Sequence, residues 1–299
     1  MFSRYKYHIL LHLIIFVWGF TGILGKLIHL DSFIIVWHRI LIAFVSLAIG
    51  LWFLKKPMRI SSGKQLLATL GVGVIVALHW LLFYKSIQLS TASLGVLCLS
   101  TTTLHVTWLE PIVMKRKFSW IEFALGTIVI YGIYIVSGNF TAQDYEALVY
   151  GLLSALCAAL FAVFNARLAR DGVSSSAITL HEMGIGLVFL TGILIFQGNL
   201  GPELFVMTGS DLAWLLFLGI ICTSVAFLLT IDVVKKLGAF TVSLSINLEP
   251  VYTILLAVII LKEHKLLGPD FYVGAILIIL VVLANAGIKY YLTNRRRAS

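Results

Sequence analysis

Glu249 stands in the run SINLEPVYTI, about 11 residues into an apolar stretch and so roughly 16 Å deep at ~1.5 Å per helical residue. A carboxylate at that depth is costly and faces a cavity or a partner. Pro250 beside it has no N–H, which frees the backbone carbonyl one turn earlier near Ile246, and Asn247 adds an amide. Such a set can hold an ammonium group or pass a proton. The competing reading is a hydrogen-bonded structural glutamate at a packing kink. A second Leu-Glu-Pro surrounds Glu110 in HVTWLEPIVM, 139 residues earlier. Glu110 lies near Lys115, Arg116 and Lys117, where a charge reaches water or a cation cheaply. Only Glu249 lacks such an escape.

Thr101, Thr102 and Thr103 are the next polar group inside an apolar run. Their hydroxyls can bind a ligand or bond back to their own helix carbonyls. No enzyme constellation stands out: HExxH, GxSxG and the Walker A pattern are absent from the sequence. Cys98, Cys157 and Cys222 lie in apolar stretches without a CxxC pair, so neither a disulfide framework nor a metal site is expected. No cofactor is expected either.

The elements that must position these residues are membrane helices. The chain has 299 residues, of which 60% are hydrophobic and 12% charged, and its mean hydropathy is +1.03. A soluble domain carries about twice that charged fraction. The charges cluster between apolar stretches of bilayer-spanning length. The stretches fall at 8–27, 33–53, 65–84, 91–114, 120–137, 147–168, 176–196, 211–231, 238–261 and 268–288. The N-terminal run has a basic start but no small-residue cleavage site, so it reads as the first span. With the N-terminus cytoplasmic, 17 Lys and Arg residues fall on the inner side and four on the outer. That bias places both termini in the cytoplasm. It also accounts for the net charge of +9 and the NRRRAS tail, so nucleic acid is not an expected partner.

The two halves repeat. A shift of 147 lays Ala92 on Ala239, Leu97 on Leu244, Thr102 on Glu249 and Lys115 on Lys262. A shift of 143 lays His38 on His181. The expectation is an all-α integral membrane protein: ten transmembrane helices in two five-helix repeats, residues 1–138 and 139–299. Five is odd, so the second repeat enters from the opposite side. Inverted repeats of this kind place a binding site between the halves and alternate its access. The same registers set Arg39 against Glu182 and Arg116 against Glu263. Two inter-half latches are therefore expected, Arg39 with Glu263 and Glu182 with Arg116, made and broken as access alternates. Solvation of Arg116 and Glu263 at helix ends is the plainer alternative.

Three stretches carry a resemblance to a known family. VWGFTG in the first helix, VWHRILIAF in the second and INLEPVYTILLAVIILKEH in the ninth resemble the drug/metabolite transporter superfamily, in particular its bacterial EamA branch. The first half departs from that pattern, with Thr103 and Arg116 where the family has proline and glutamate. The resemblance implies a ten-helix inner-membrane carrier that exports amino acids or related metabolites, without ATP and without enzymatic activity. It also implies that Trp18, His79, Trp80, His105, Asn165 and Ser224 lie on cavity-lining helices, beside Glu249, Asn247, Thr102 and Thr103, with Pro250 as a hinge. The expected partners are a small-molecule substrate and membrane lipid, with a coupling proton and a homodimeric second copy as open options. Two other classes stay in play: an intramembrane enzyme pairing Glu249 with His105 or His79, and a passive small-solute channel.

Overall fold

The structure is a computed structural model and describes residues 2–115, 117–237 and 239–298. The described residues are helical, with no strand among them. The helices are α1 (Phe2–Leu27), α2 (Ser32–Phe53), α3 (Gly63–Leu89), α4 (Ala92–Leu99), α5 (Thr102–Met114), α6 (Trp120–Val136) and α7 (Ala142–Arg170). After them come α8 (Ser175–Phe196), α9 (Gly209–Leu216), a π-helical segment (Phe217–Val225), α10 (Ala226–Leu237), α11 (Ala239–Ile246), α12 (Glu249–Ile260) and α13 (Pro269–Ala298). Eight stretches of the described residues are long and apolar enough to cross a bilayer, and Glu249–Ile260 and Pro269–Asn285 are shorter apolar helices. The chain is a multi-pass membrane protein.

Local chemistry sets the helix starts. Asp31 accepts from the Phe33 amide, Thr91 from Leu94, Ser119 from Glu122, Ser174 from Ala177 and Thr208 from Asp211. Thr141 and Asp144 form a reciprocal capping box at the start of α7. Between these caps the side chains are mostly apolar, as helices surrounded by lipid and other helices require. Large apolar groups such as Phe53, Trp120, Val188, Phe196 and Ile259 point outward.

Glycines let the helices approach closely. A Cβ on Gly274 of α13 would sit 2.6 Å from the Gly132 carbonyl oxygen of α6. One on Gly22 of α1 would sit 2.9 Å from Thr253 Cγ2 of α12. The latter explains the glycine spacing of VWGFTG: α1 lies directly on α12.

The backbone repeats the registers read from the sequence. The span from Ala92 to Met114 breaks at Ser100 and Thr101, and the span from Ala239 to Ile260 breaks at Asn247 and Leu248. These breaks are 147 residues apart. Lys115 (φ 54°) and Lys262 (φ 56°) follow the same register and are both left-handed, a conformation costly for a non-glycine residue. In the other register, 143, left-handed Lys55 (φ 51°) matches Gly198 (φ 70°). His38 Nδ1 lies 3.0 Å from the Ile34 carbonyl oxygen, and His181 Nδ1 lies 2.8 Å from that of Ala177, again 143 residues on. Three unusual backbone positions and one side-chain bond thus recur at the registers of the sequence alignment.

Candidate functional site

A cavity of about 640 Å³ opens beside both helix breaks. Its walls come from α1 to α5, α7, α8, the π segment and α10 to α13. The breaks bring Ser100, Thr102 and Thr103 from one side and Asn247, Glu249 and Pro250 from the other. At the first break hydroxyls bond back to carbonyls of the turn: Thr101 Oγ1 donates to Cys98 O at 2.6 Å, which also accepts from the Thr101 amide, and Thr103 Oγ1 donates to Ser100 O at 2.9 Å. At the second, Pro250 has no N–H to close the turn.

Arg39 of α2 reaches into this cavity and is 5% exposed. Its guanidinium lies 3.8 Å from the centroid of the Trp80 ring. Nε donates to Thr223 Oγ1 and Nη1 to Tyr84 Oη, each at 3.2 Å. Thr223 belongs to the π segment, and its hydroxyl donates five residues back to Leu218 O at 2.8 Å. A π turn inside an α-helix is rare and recurs at functional sites. Here it turns Cys222 and Thr223 to the cavity. Glu249 lines the same cavity as Arg39. The cavity thus holds a stacked cation and a carboxylate.

Glu182 of α8 and Asn165 of α7 line the same cavity. Glu182 is 4% exposed and interacts with the Asn165 side chain. Glu182 Oε1 and Asn165 Oδ1 are both buried without a hydrogen-bond partner, as is Asn285 Oδ1 of α13. His79 is already engaged: its Nδ1 lies 2.9 Å from both the carbonyl and the hydroxyl oxygen of Ser154.

Of the residues expected at the site, Glu249, Asn247, Thr102, Thr103, Trp18, His79, Trp80, Asn165 and Pro250 line the cavity. Ser224 and His105 are not among its lining residues. Ser224 sits one position past Thr223 in the π segment, which turns its hydroxyl to α2, where it meets Ser46 Oγ at 2.8 Å and Ala43 O at 3.0 Å. His105 follows the first break, and its ring packs against Trp108. Among the described residues no hydrogen bond joins Glu249 to either His79 or His105.

The expected latch between Arg39 and Glu263 is not formed in this structure. Glu263 is 2% exposed, and its two carboxylate oxygens accept from the Ala92 and Ser93 amides at 2.7 and 3.1 Å. It caps the start of α4, whose positive end attracts a carboxylate. Arg39 is occupied inside the cavity instead. Glu182 also lines the cavity, and its expected partner Arg116 lies outside the described residues. Sequence reasoning passed over Thr21, Thr179, Thr223 and Asn285, all of which line the cavity. Asn285, an amide in the apolar run VVLANAG, was open to the same reasoning that marked Asn165.

The profile of the EamA-like transporter family matches residues 6–138 and again residues 146–286. The chain belongs to this family. Two curated relatives from Bacillus subtilis are similar along most of their length. The uncharacterized transporter YxxF is 24% identical over 250 residues, 80% of this chain and 77% of its own. The uncharacterized transporter YojE is 23% identical over 286 residues, 92% of each chain. A crystal structure at 15% identity has a TM-score of 0.63 and covers 95% of this chain and 98% of its own, so the fold is shared. Membership accounts for the double profile match, one to each half of an EamA-type chain.

Proposed function

We propose that this EamA-family chain carries a small amphoteric metabolite, an amino acid or a related compound, out of the cell by alternating access. The observation that carries the reading is the cavity built by helices of both halves, whose walls hold both Arg39 and Glu249. A guanidinium stacked on Trp80 is set to receive a carboxylate, and Glu249 an ammonium group. Aromatic rings of Trp18, Phe83, Phe161 and Phe227 supply apolar wall for the rest of the cargo. The two units, 1–138 and 139–299, would be related by a pseudo-two-fold axis in the membrane plane. The Lys and Arg bias supports cytoplasmic termini in an inner membrane.

An asymmetry of the structure supports a carrier over a channel. α4 packs on α12, and Glu263 ties the two together. The pair 147 residues on and back, α11 and α5, makes no comparable contact among the described residues. Among the described residues the α4–α12 end is the one tied together, an arrangement that suits one state of an alternating cycle. On the proposed orientation the tied end faces outward. Counterflow in proteoliposomes, with a panel of amino acids and metabolites and with or without a pH gradient, tests the reading. Saturable exchange of a panel member is expected. Flux that is unsaturable and shows no trans-stimulation would remove the carrier in favour of a channel.

A further inference from the structure

The register of 143 that matches His38 with His181 sets Arg39 against Glu182. Both residues are almost fully buried and both line the cavity, so equivalent positions of the two halves present opposite charges to one space. They do so at different depths. The Glu182 backbone lies beside Gly73 of α3, where an added Cβ would sit 3.2 Å from its carbonyl oxygen. Arg39 lies against Trp80 and Tyr84 of the same helix. The seven to eleven residues between these levels correspond to about 10–16 Å along the helix axis.

The surroundings of the two charges also differ. Arg39 has Tyr84, Thr223 and the Trp80 ring. Glu182 has the Asn165 side chain, and each of these two residues keeps one buried oxygen without a donor. Buried acceptors left in that state are costly. The group that satisfies a carboxylate oxygen and an amide oxygen together is a donor with positive charge, and a primary ammonium, with three N–H donors and no acceptor, fits.

We propose that Glu182 and Asn165 form a second subsite for a primary ammonium group at the far end of the cargo, whose amino-acid end lies at Arg39 and Glu249. The inference rests on the carrier reading above and adds what that reading lacks: a reason to prefer long, doubly amino-substituted cargo. An ordinary α-amino acid holds its ammonium and carboxylate groups on one carbon and cannot reach both levels. Its side chain must carry the second amine.

L-ornithine and L-norleucine test this, because they share a chain length and differ in a terminal ammonium against a methyl group. Counterflow of each would be measured for the wild type, Glu182→Gln and Asn165→Asp, with monodisperse elution in detergent as the check on folding. The wild type is expected to favour ornithine by about 10-fold or more, the value of one charge-assisted hydrogen bond. Glu182→Gln should lose that preference, read as the ornithine-to-norleucine ratio within the variant, and Asn165→Asp should keep or raise it. Equal ornithine-to-norleucine ratios in the wild type and Glu182→Gln would overturn the subsite. So would a Glu182→Gln variant that keeps the ratio but loses its response to a pH gradient, which would make Glu182 a proton carrier. Norleucine exchange with an unchanged ratio strikes the subsite alone, whereas failure of both compounds in the wild type strikes the carrier reading with it.

Discussion

The two broken spans, α4–α5 and α11–α12, reach one backbone shape by different chemistry. Both interrupt their hydrogen bonding at positions 147 residues apart and end in a left-handed lysine. At Ser100 and Thr101 the interruption is absorbed by neutral hydroxyls that bond within the turn. At Asn247 and Leu248 it is enforced by a proline and followed by a carboxylate. The shared backbone sets where the cavity opens, and the side chains decide what it can hold. The two spans share a scaffold, and only one of the two breaks carries a charge.

The largest effect should come from erasing that difference. Glu249→Gln makes both breaks neutral at the cavity wall. Loss of a charge-assisted contact to a cargo ammonium is worth about 1.5–3 kcal/mol, or about 10- to 150-fold in apparent affinity. Counterflow of an accepted substrate should fall by that order, while Thr102→Val, at the matching position, should change it by no more than a few fold. Wild-type flux from Glu249→Gln would show that the charge at the second break serves the fold alone.

The ends of the two spans differ as well. The first residues of α4 are tied to Glu263, whereas α5 and α11 make no comparable contact among the described residues. Glu263→Ala removes a charged acceptor from two backbone amides, a loss of about 1.5–3 kcal/mol before any relaxation. It should open this end by about 10-fold or more in population. Ser93→Cys, at a fully buried position, in a variant without the native cysteines, gives the readout. Labelling by a membrane-impermeant maleimide should be slow with Glu263 present and at least several fold faster in Glu263→Ala. Equal labelling rates would mean that the tie does not hold the end shut.

Much of this arrangement was legible in the sequence, for identifiable reasons. Eight of the proposed spans overlie stretches long and apolar enough to cross a bilayer, and the last two fall on shorter apolar helices, because apolar length is a direct consequence of bilayer thickness. The 147 and 143 registers recur in the backbone because breaks and left-handed caps are local events tied to a few residues. Ser224 was not legible, since a π turn carries no sequence signature and rotates every following side chain relative to an α-helix. The partner of Glu263 was hidden for a different reason. Its acceptors are met by main-chain amides, and pairing side chains by charge overlooks a helix start. Arg39 was read as a gate at one end because its position in α2 is near that end, yet a long side chain places the charge elsewhere.

A smaller contrast concerns the glycines. Gly126 and Gly274 occupy matching positions in the two halves with one residue of offset from the 147 register. A Cβ at Gly274 would meet the Gly132 carbonyl, part of a rigid backbone, whereas one at Gly126 would meet the end of the Leu104 side chain. Gly274→Ala should therefore cost about 1–3 kcal/mol by forcing α6 and α13 apart. Gly126→Ala should cost less, since a leucine can change rotamer. Thermal unfolding in detergent checks the order. An equal or larger loss at Gly126 would show that Leu104 is as fixed as the backbone.

The smallest expected effect returns to the first break. Thr101 donates to the Cys98 carbonyl at 2.6 Å, and valine keeps its shape without the hydroxyl. The loss should be about 0.5–1.5 kcal/mol of stability, the net value of one neutral hydrogen bond. Flux should stay near wild type, because Thr101 itself is not among the cavity-lining residues. Pro250→Ala at the other break should behave in the opposite way. It restores an N–H that can close the turn onto Ile246, so stability is kept or raised while flux falls as the break straightens. If Thr101→Val lowered flux as much as Pro250→Ala, the hydroxyl would be shaping the first break as strongly as the proline shapes the second. The two breaks would then differ only in charge.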